Sequence, residues 1–196
     1  MIEYIRGEIV ELSPTQMIMD CNGIGYELNI SVTTYSAFNG QTDGKIFVYE
    51  IIREDAHVLY GFAGREEREL FLLLTSVSGV GPNTARMILS SLPPSELIQA
   101  ISSGDDVSLT RIKGIGSKTA QRILVDLRNK VKPIEGLDSR SKLSAATRSE
   151  TAEGAVAALV MLGFQKVASQ KTVDSILKNS PALSVEQVIK DALKML

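Results

Sequence analysis

Residues 76–89 read SVSGVGPNTARMIL and residues 111–124 read RIKGIGSKTAQRIL. Laid over each other at a spacing of 35, they share Gly79/Gly114, Gly81/Gly116, Thr84/Thr119, Ala85/Ala120, Ile88/Ile123 and Leu89/Leu124. Six identities in fourteen positions is far above the roughly one that average residue usage gives. Each copy is a Gly-hydrophobic-Gly loop opening an apolar-periodic run, so the spacing predicts a hairpin between two helices, twice. The first glycine of each is expected to take a left-handed backbone. The second should let the backbone approach a ligand, while Val80 and Ile115 plug the turns into the core. A helix beginning at such a loop presents unpaired N–H groups and a positive dipole end at one point, which suits a phosphate. A packing turn accounts for a single copy equally well. Two copies, with Arg86 in the first and Lys118 and Arg122 in the second, favour a grip on a nucleic-acid backbone.

Working outward from the repeat, residues 1–64 read as β. Alternating or β-branched stretches fall at 2–12, 16–21, 25–32, 45–53 and 57–62, with Asn22-Gly23 as a two-residue hairpin signal. Five short strands in so few residues predict an OB-fold barrel. Residues 65–132 read as helical: Leu70, Leu73, Leu74 and Val77 are helically spaced, Pro93-Pro94 ends the helix after the first hairpin, and Ser95 is expected to cap the next. A short helix is expected at 105–112, and another at 117–130 with Ala120, Ile123, Leu124 and Leu127 inward. Residues 133–150, rich in Ser, Gly, Ala and charge, read as a flexible linker. Three helices are expected at 151–162, 165–178 and 184–196, the last with a stripe of Val185, Val188, Ile189, Ala192, Leu193 and Leu196. The fold class is therefore α+β and multidomain: barrel, tandem helix–hairpin–helix domain, linker and three-helix bundle.

Charge follows this division. The chain of 196 residues carries a net −2, but residues 1–64 hold net −6, 65–132 net +3 and 133–196 net +1. The hairpins thus lie in the basic segment. No apolar run approaches the ~18 residues a membrane span needs, and the N-terminal MIEYIRGEIVEL has no signal-peptide core, so a cytoplasmic protein is expected. One cysteine, Cys21, excludes an internal disulfide and a cysteine-based zinc site; one histidine, His57, argues against metal chemistry or a histidine triad and is given no role. Gly116-Ser117-Lys118-Thr119 breaks the contiguous Gly-Lys-Ser/Thr of a P-loop, and Thr84 and Thr119 stand where a dinucleotide fingerprint has its third glycine. Neither a nucleotide site, a metal nor a cofactor is expected.

The run VYEIIREDAHVLYGF at 48–62 reads as a hairpin tipped by Glu54 and Asp55. Spacing alone suggests a solvated turn. The functional alternative is that the two carboxylates repel phosphates, with Arg53 beside them doing the reverse.

Taken together, MIEYIRGEIVE, REDAHVLYGF, the hairpins SGVGPNTA and KGIGSKTA, and the C-terminal AVAALVMLGF resemble the RuvA family, the Holliday-junction-binding subunits of the bacterial RuvAB branch-migration complex. The resemblance covers the chain apart from 133–150. It implies a flat homotetramer, sometimes stacked as an octamer, holding a four-way junction open and square. It further implies that the C-terminal domain binds the hexameric ATPase RuvB, that a resolvase such as RuvC can join, and that the chain has no catalytic site of its own. On the matching positions it implies an acidic pin at Glu54 and Asp55 beside Arg53. DNA contacts are implied at Gly79, Val80, Gly81, Asn83, Gly114, Ile115, Gly116, Ser117, Lys118 and Arg122. Asn83 stands where many members have a lysine, and Ser117 where some have a second one. Arg86, three residues after Asn83, is expected to replace part of that charge, and the first grip to rely on its backbone. Leu162-Gly163-Phe164 matches the turn of a ubiquitin-associated-like module and is expected to shape that turn.

Two rival functions have sequence requirements of their own. A helix–hairpin–helix glycosylase would need a catalytic residue, Asp126 for instance, in a cleft between two helical domains. A single-strand binder would need aromatic residues on a basic barrel face, against the net −6 of residues 1–64.

Overall fold

The computed structural model describes residues 1–131, 134, 148–180 and 183–195. The chain divides into two compact units, Met1–Lys142 and Leu143–Leu196. Most of the stretch expected as a linker lies outside the described residues. At its two ends, Ile134 is buried in the core of the first unit and a helix has already begun at Arg148.

The first unit opens with five strands: β1 (Tyr4–Ser13), β2 (Gln16–Cys21), β3 (Ile24–Ile30), β4 (Asp43–Ile52) and β5 (His57–Phe62). They close in the order β1-β2-β3-β5-β4, with β1 paired to β4. All pairings are antiparallel except β3 with β5. Alternation explains the interior: Ile5, Met17, Met19, Leu28, Ile30, Ile46 and Val48 point inward and are buried. Asn22 and Gly23, with φ of 56° and 85°, make the tight β2–β3 turn that their sequence predicts.

One element was not expected. Helix α1 (Val32–Phe38) follows β3, which ends at Ile30 rather than at residue 32. Its residues VTTYSAF favour strand; tertiary partners decide otherwise. Ser31 caps it, accepting the Thr34 N–H at 3.0 Å, and Phe38 enters the barrel core. The carboxylate of Glu67, 2% exposed, accepts hydrogen bonds from the hydroxyls of Ser31 and Thr34 and from the Ala63 N–H.

Among the described residues, five helices complete this unit: α2 (Arg65–Thr75), α3 (Pro82–Ser91), α4 (Pro94–Ser103), α5 (Asp106–Thr110) and α6 (Ser117–Leu127). Helix α2 joins them to the barrel. Its Phe71 ring lies 4.9 Å from Tyr60, 5.0 Å from Phe62 and 6.0 Å from Tyr49, and Arg68 Nη1 donates to Glu3 Oε2 at 2.8 Å. Leu70, Leu74, Val77, Ala120, Ile123 and Leu127 are buried as expected, with Leu73 and Leu124 half-buried at the edge. Ser95 does not cap α4. Pro94 occupies the first helical position, where a missing N–H costs nothing, and the cap is Pro93.

The second unit contains α7 (Arg148–Met161), α8 (Lys166–Asn179) and α9 (Val185–Ala192), packed on Ala155, Leu159, Val173 and Val188. At the α7–α8 turn Gly163 has φ 98°, and the Phe164 N–H reaches back to the Leu159 carbonyl at 3.1 Å. That left-handed cap shows Leu162-Gly163-Phe164 shaping the turn. Ser184 and Gln187 form a capping box at α9. This helix is shorter than expected: after Ala192 the chain tightens into turns, leaving Leu193 exposed, and Leu196 lies outside the described residues.

Candidate nucleic-acid interface

The two repeated segments fold into two hairpins with nearly the same backbone. Residues 76–81 link α2 to α3, and residues 111–116 link α5 to α6. Gly79 and Gly114 have φ of 91° and 90°, a region closed to most residues with a Cβ. The Val80 N–H bonds the Val77 carbonyl and the Ile115 N–H the Ile112 carbonyl, each at 3.0 Å. Val80 and Ile115 plug their turns into one shared core, 4% and 5% exposed.

Gly81 and Gly116 differ from their partners in kind. Their φ is −83° in both, with ψ of 170° and 166°, an extended conformation open to any residue. A Cβ added at either would meet no atom within 4 Å. Neither backbone geometry nor internal packing requires glycine there. What glycine leaves is a bare approach to the helix N-terminus, and no side chain caps α3 or α6. In α6 the first-turn N–H groups of Ser117, Lys118 and Thr119 face outward for an acceptor. In α3 Pro82 takes the first position and removes one of these donors.

The flanking side chains widen the difference. Arg111, Lys113, Lys118 and Arg122 of the second hairpin are all exposed. At the equivalent places the first has Ser76, Ser78, Asn83 and Met87, also exposed and all uncharged. Lys118 and Arg122 line a shallow depression on α6 with Gln121, Val125 and Asp126. Arg111 and Lys113 are not among the residues expected from sequence, although the repeat alignment carries their signal.

Arg86 has partners in the barrel that its place in the repeat does not foreshadow. Its Nη1 donates to the side-chain Oδ1 of Asn29 at 2.8 Å and to the Thr15 carbonyl at 3.2 Å. Both acceptors belong to the barrel and both are neutral, so Arg86 keeps its charge while its Nη1 is tied to the body of the protein. With Pro82 lacking an N–H, the first hairpin also has one backbone donor fewer than the second.

The acidic tip lies where its sequence places it. Arg53 N–H bonds the Ala56 carbonyl at 2.8 Å to close the β4–β5 turn, and Arg53, Glu54 and Asp55 are exposed. At its base His57 sits 3.1 Å from Glu50, and this hydrogen bond holds the Glu50 carboxyl below the usual carboxylate range. His57, given no role from sequence, thus braces the hairpin across its strands. Asp126 is exposed on α6, and within its unit the helical domain packs on a closed barrel.

Comparison with known proteins agrees with this layout segment by segment. Residues 1–61 match the RuvA N terminal domain, residues 71–129 the SAM-like helix-hairpin-helix tandem, and residues 151–196 the RuvA C-terminal domain. A Parabacteroides distasonis protein is 69% identical over 196 residues, covering all of both chains. Relatives from Bacteroides thetaiotaomicron and Porphyromonas gingivalis are 55% and 50% identical, again over the whole of each chain. All three are described as Holliday junction branch migration complex subunit RuvA. The chain belongs to the RuvA family. Among the described residues, no helix is long and apolar enough to cross a membrane, and no group of three or more His, Cys, Asp or Glu side chains could hold a metal ion.

Proposed function

We propose that this chain is the junction-binding subunit of a DNA branch-migration machine, acting in the cytoplasm in homologous recombination and repair. The observation that carries this is the pair of bare glycines, Gly81 and Gly116, at uncapped helix ends on a duplicated hairpin. Two glycines that the fold does not need fit an outside surface that comes close to the backbone, and a phosphate is what a helix N-terminus accepts.

Gly79, Val80, Gly81 and Asn83 form one grip, and Gly114, Ile115, Gly116, Ser117, Lys118 and Arg122 the other. Backbone N–H groups and cations contact phosphates and carry no base information, so specificity comes from the shape of the junction. Four identical subunits, singly layered or stacked as an octamer, supply two grips for each of four arms and hold the junction open and square. Glu54 and Asp55 repel phosphates where the strands cross and govern strand passage, with Arg53 as the adjacent attractive group. The hydrolysis that drives migration belongs to the RuvB ATPase, docked by the C-terminal domain, whose exposed Met161, Leu162 and Val167 are available to a partner; RuvC is a further partner. The chain itself has no catalytic role.

A gel shift of a four-way junction against linear duplex at two salt concentrations, with stoichiometry, tests the reading. Tight junction binding in multiples of four subunits supports it; equal affinity for both DNAs defeats it. The pair Glu54→Gln and Asp55→Gln is expected to bind junctions at least as tightly as the parent, and markedly weaker binding contradicts the repulsive role.

A further inference from the structure

Arg86 lies on α3, the helix whose N-terminus forms the first grip, but its guanidinium faces the barrel. We infer that Arg86 is a positioning residue for junction recognition, latching the first grip at a fixed angle to the strand that leads from the acidic tip. The inference rests on the function proposed above and names a determinant of its specificity.

The latch can be followed bond by bond. Arg86 Nη1 donates to Asn29 Oδ1 at 2.8 Å, and the other end of the same amide, Nδ2, donates to the Leu59 carbonyl at 3.5 Å. Asn29 is on β3 and Leu59 on β5, where the barrel closes by its parallel pairing. Strand β5 starts at His57, directly after the acidic turn. A chain of side-chain bonds therefore runs from the grip helix to the arm of the acidic hairpin. The second acceptor of Arg86, the Thr15 carbonyl in the β1–β2 turn, also accepts the Ile30 N–H at 3.1 Å, so the guanidinium binds an already ordered group.

Other joints connect helices and barrel, but the Arg68–Glu3 pair and the Glu67 hydrogen bonds hold α2 rather than α3. The Phe71 cluster is apolar packing, which is strong but non-directional. Helix α1 holds the far end of α3, through the Val32 N–H on Ser90 Oγ at 3.1 Å and Thr33 Oγ1 on the Leu89 carbonyl at 2.7 Å. Arg86 lies nearer the grip, and a planar guanidinium constrains direction as well as distance.

The test compares Arg86→Met, Asn29→Ala and the double variant with the parent, titrated against a four-way junction and a linear duplex over a salt series. If Arg86 positions the grip, Arg86→Met weakens junction binding by about tenfold, the scale of one hydrogen bond to a charged group. Duplex affinity should hold, because a single duplex does not require grip and acidic tip to be set against each other. The slope of log affinity against log salt stays that of the parent. Asn29→Ala, which keeps the cation, should reproduce the loss, and the double variant should lose no more than either single one. Asn29→Ala carries the test alone if Arg86→Met does not fold. A slope shallower by about 0.9 for Arg86→Met makes it a phosphate ligand and overturns the inference. An unchanged junction-to-duplex ratio, a parallel loss on both DNAs, or additive losses overturn it too. A parent without junction preference defeats the underlying function instead, and is recognised before any variant is made.

Discussion

The first and second hairpins have the same turn, the same buried plug and the same open glycine, with φ values agreeing within a degree. Outward, they are opposites: four exposed cations in the second, four uncharged residues in the first, and one fewer backbone donor where Pro82 replaces Ser117. The lone arginine of the first hairpin helix is spent on the barrel. The two copies share a backbone and differ in the side chains around it. On the proposed function, the second grip would supply charge, and the first, tied to the body of the protein, would supply orientation. Loss of charge should therefore hurt only at the second grip, and loss of geometry should hurt at both.

The largest expected effect tests the charge. Lys118→Ala with Arg122→Ala should weaken junction binding by about a hundredfold, taking one charge-assisted contact each, and flatten the salt slope by about 1.8. Asn83→Ala with Met87→Ala, the equivalent pair, should change neither by more than a few-fold. Equal losses from both pairs would break the comparison; filter binding across a salt series decides.

Next is the geometry. Gly81→Ala and Gly116→Ala should each lower junction affinity by about tenfold, since a methyl group holds phosphate away from the helix end. Their melting temperatures should stay close to the parent's, because nothing in the chain meets the added Cβ. Gly79→Ala and Gly114→Ala invert this pattern: the left-handed backbone costs about 1–2 kcal/mol of fold stability, read as a lower denaturant midpoint. If Gly81→Ala unfolds the protein while Gly79→Ala does not, the roles assigned to the two glycines are reversed.

A smaller effect comes from adding charge to the first grip. Asn83→Lys puts a cation where Lys118 stands in the second and should raise junction affinity by about three- to tenfold, steepening the salt slope by about 0.9. No gain would mean that the first hairpin lies too far from any phosphate for charge to matter.

The contrast also shows what a sequence can reveal. Both hairpins, their plugs and the barrel strands were legible because each rests on local periodicity, a required glycine or a repeat. The commitment of Arg86 was not, because its acceptors lie 71 and 57 residues away in the chain. Helix α1 was hidden for the same reason: a strand-like composition is overruled by Glu67, more than thirty residues distant from Ser31 and Thr34. The charge of the second hairpin was half legible. Lys118 and Arg122 lie on the helix after the glycines, where phosphate contacts are expected, whereas Arg111 and Lys113 precede the glycines and show as cations only when the two copies are compared. Ser95 was misplaced because Pro94 looked like an end to one helix and was the start of the next.

The smallest expected effect concerns acid, and it too separates the hairpins. Asp105 caps α5, the helix that leads into the second hairpin. Its carboxylate accepts the Ser108 hydroxyl at 2.5 Å and the Ser108 N–H at 3.0 Å. These bonds, the hydroxyl first, hold the carboxyl below the ordinary aspartate range. A depressed folded-state value means that the cap stabilises the fold fully above about pH 3.9, the ordinary aspartate value, and fades as pH falls through the lower folded one. The equivalent position before the first hairpin is Leu70, which is buried and cannot titrate. Asp105→Ala should therefore lower the melting temperature at pH 7, and the gap from the parent should shrink as pH drops below the aspartate range. The Glu3–Arg68 pair, whose carboxyl is also held low by its arginine, weakens in the same window but is common to both proteins and cancels in the difference. A gap that stays constant from pH 7 into acid would show that α5 is capped by geometry alone, and the second hairpin would then be no more acid-sensitive than the first.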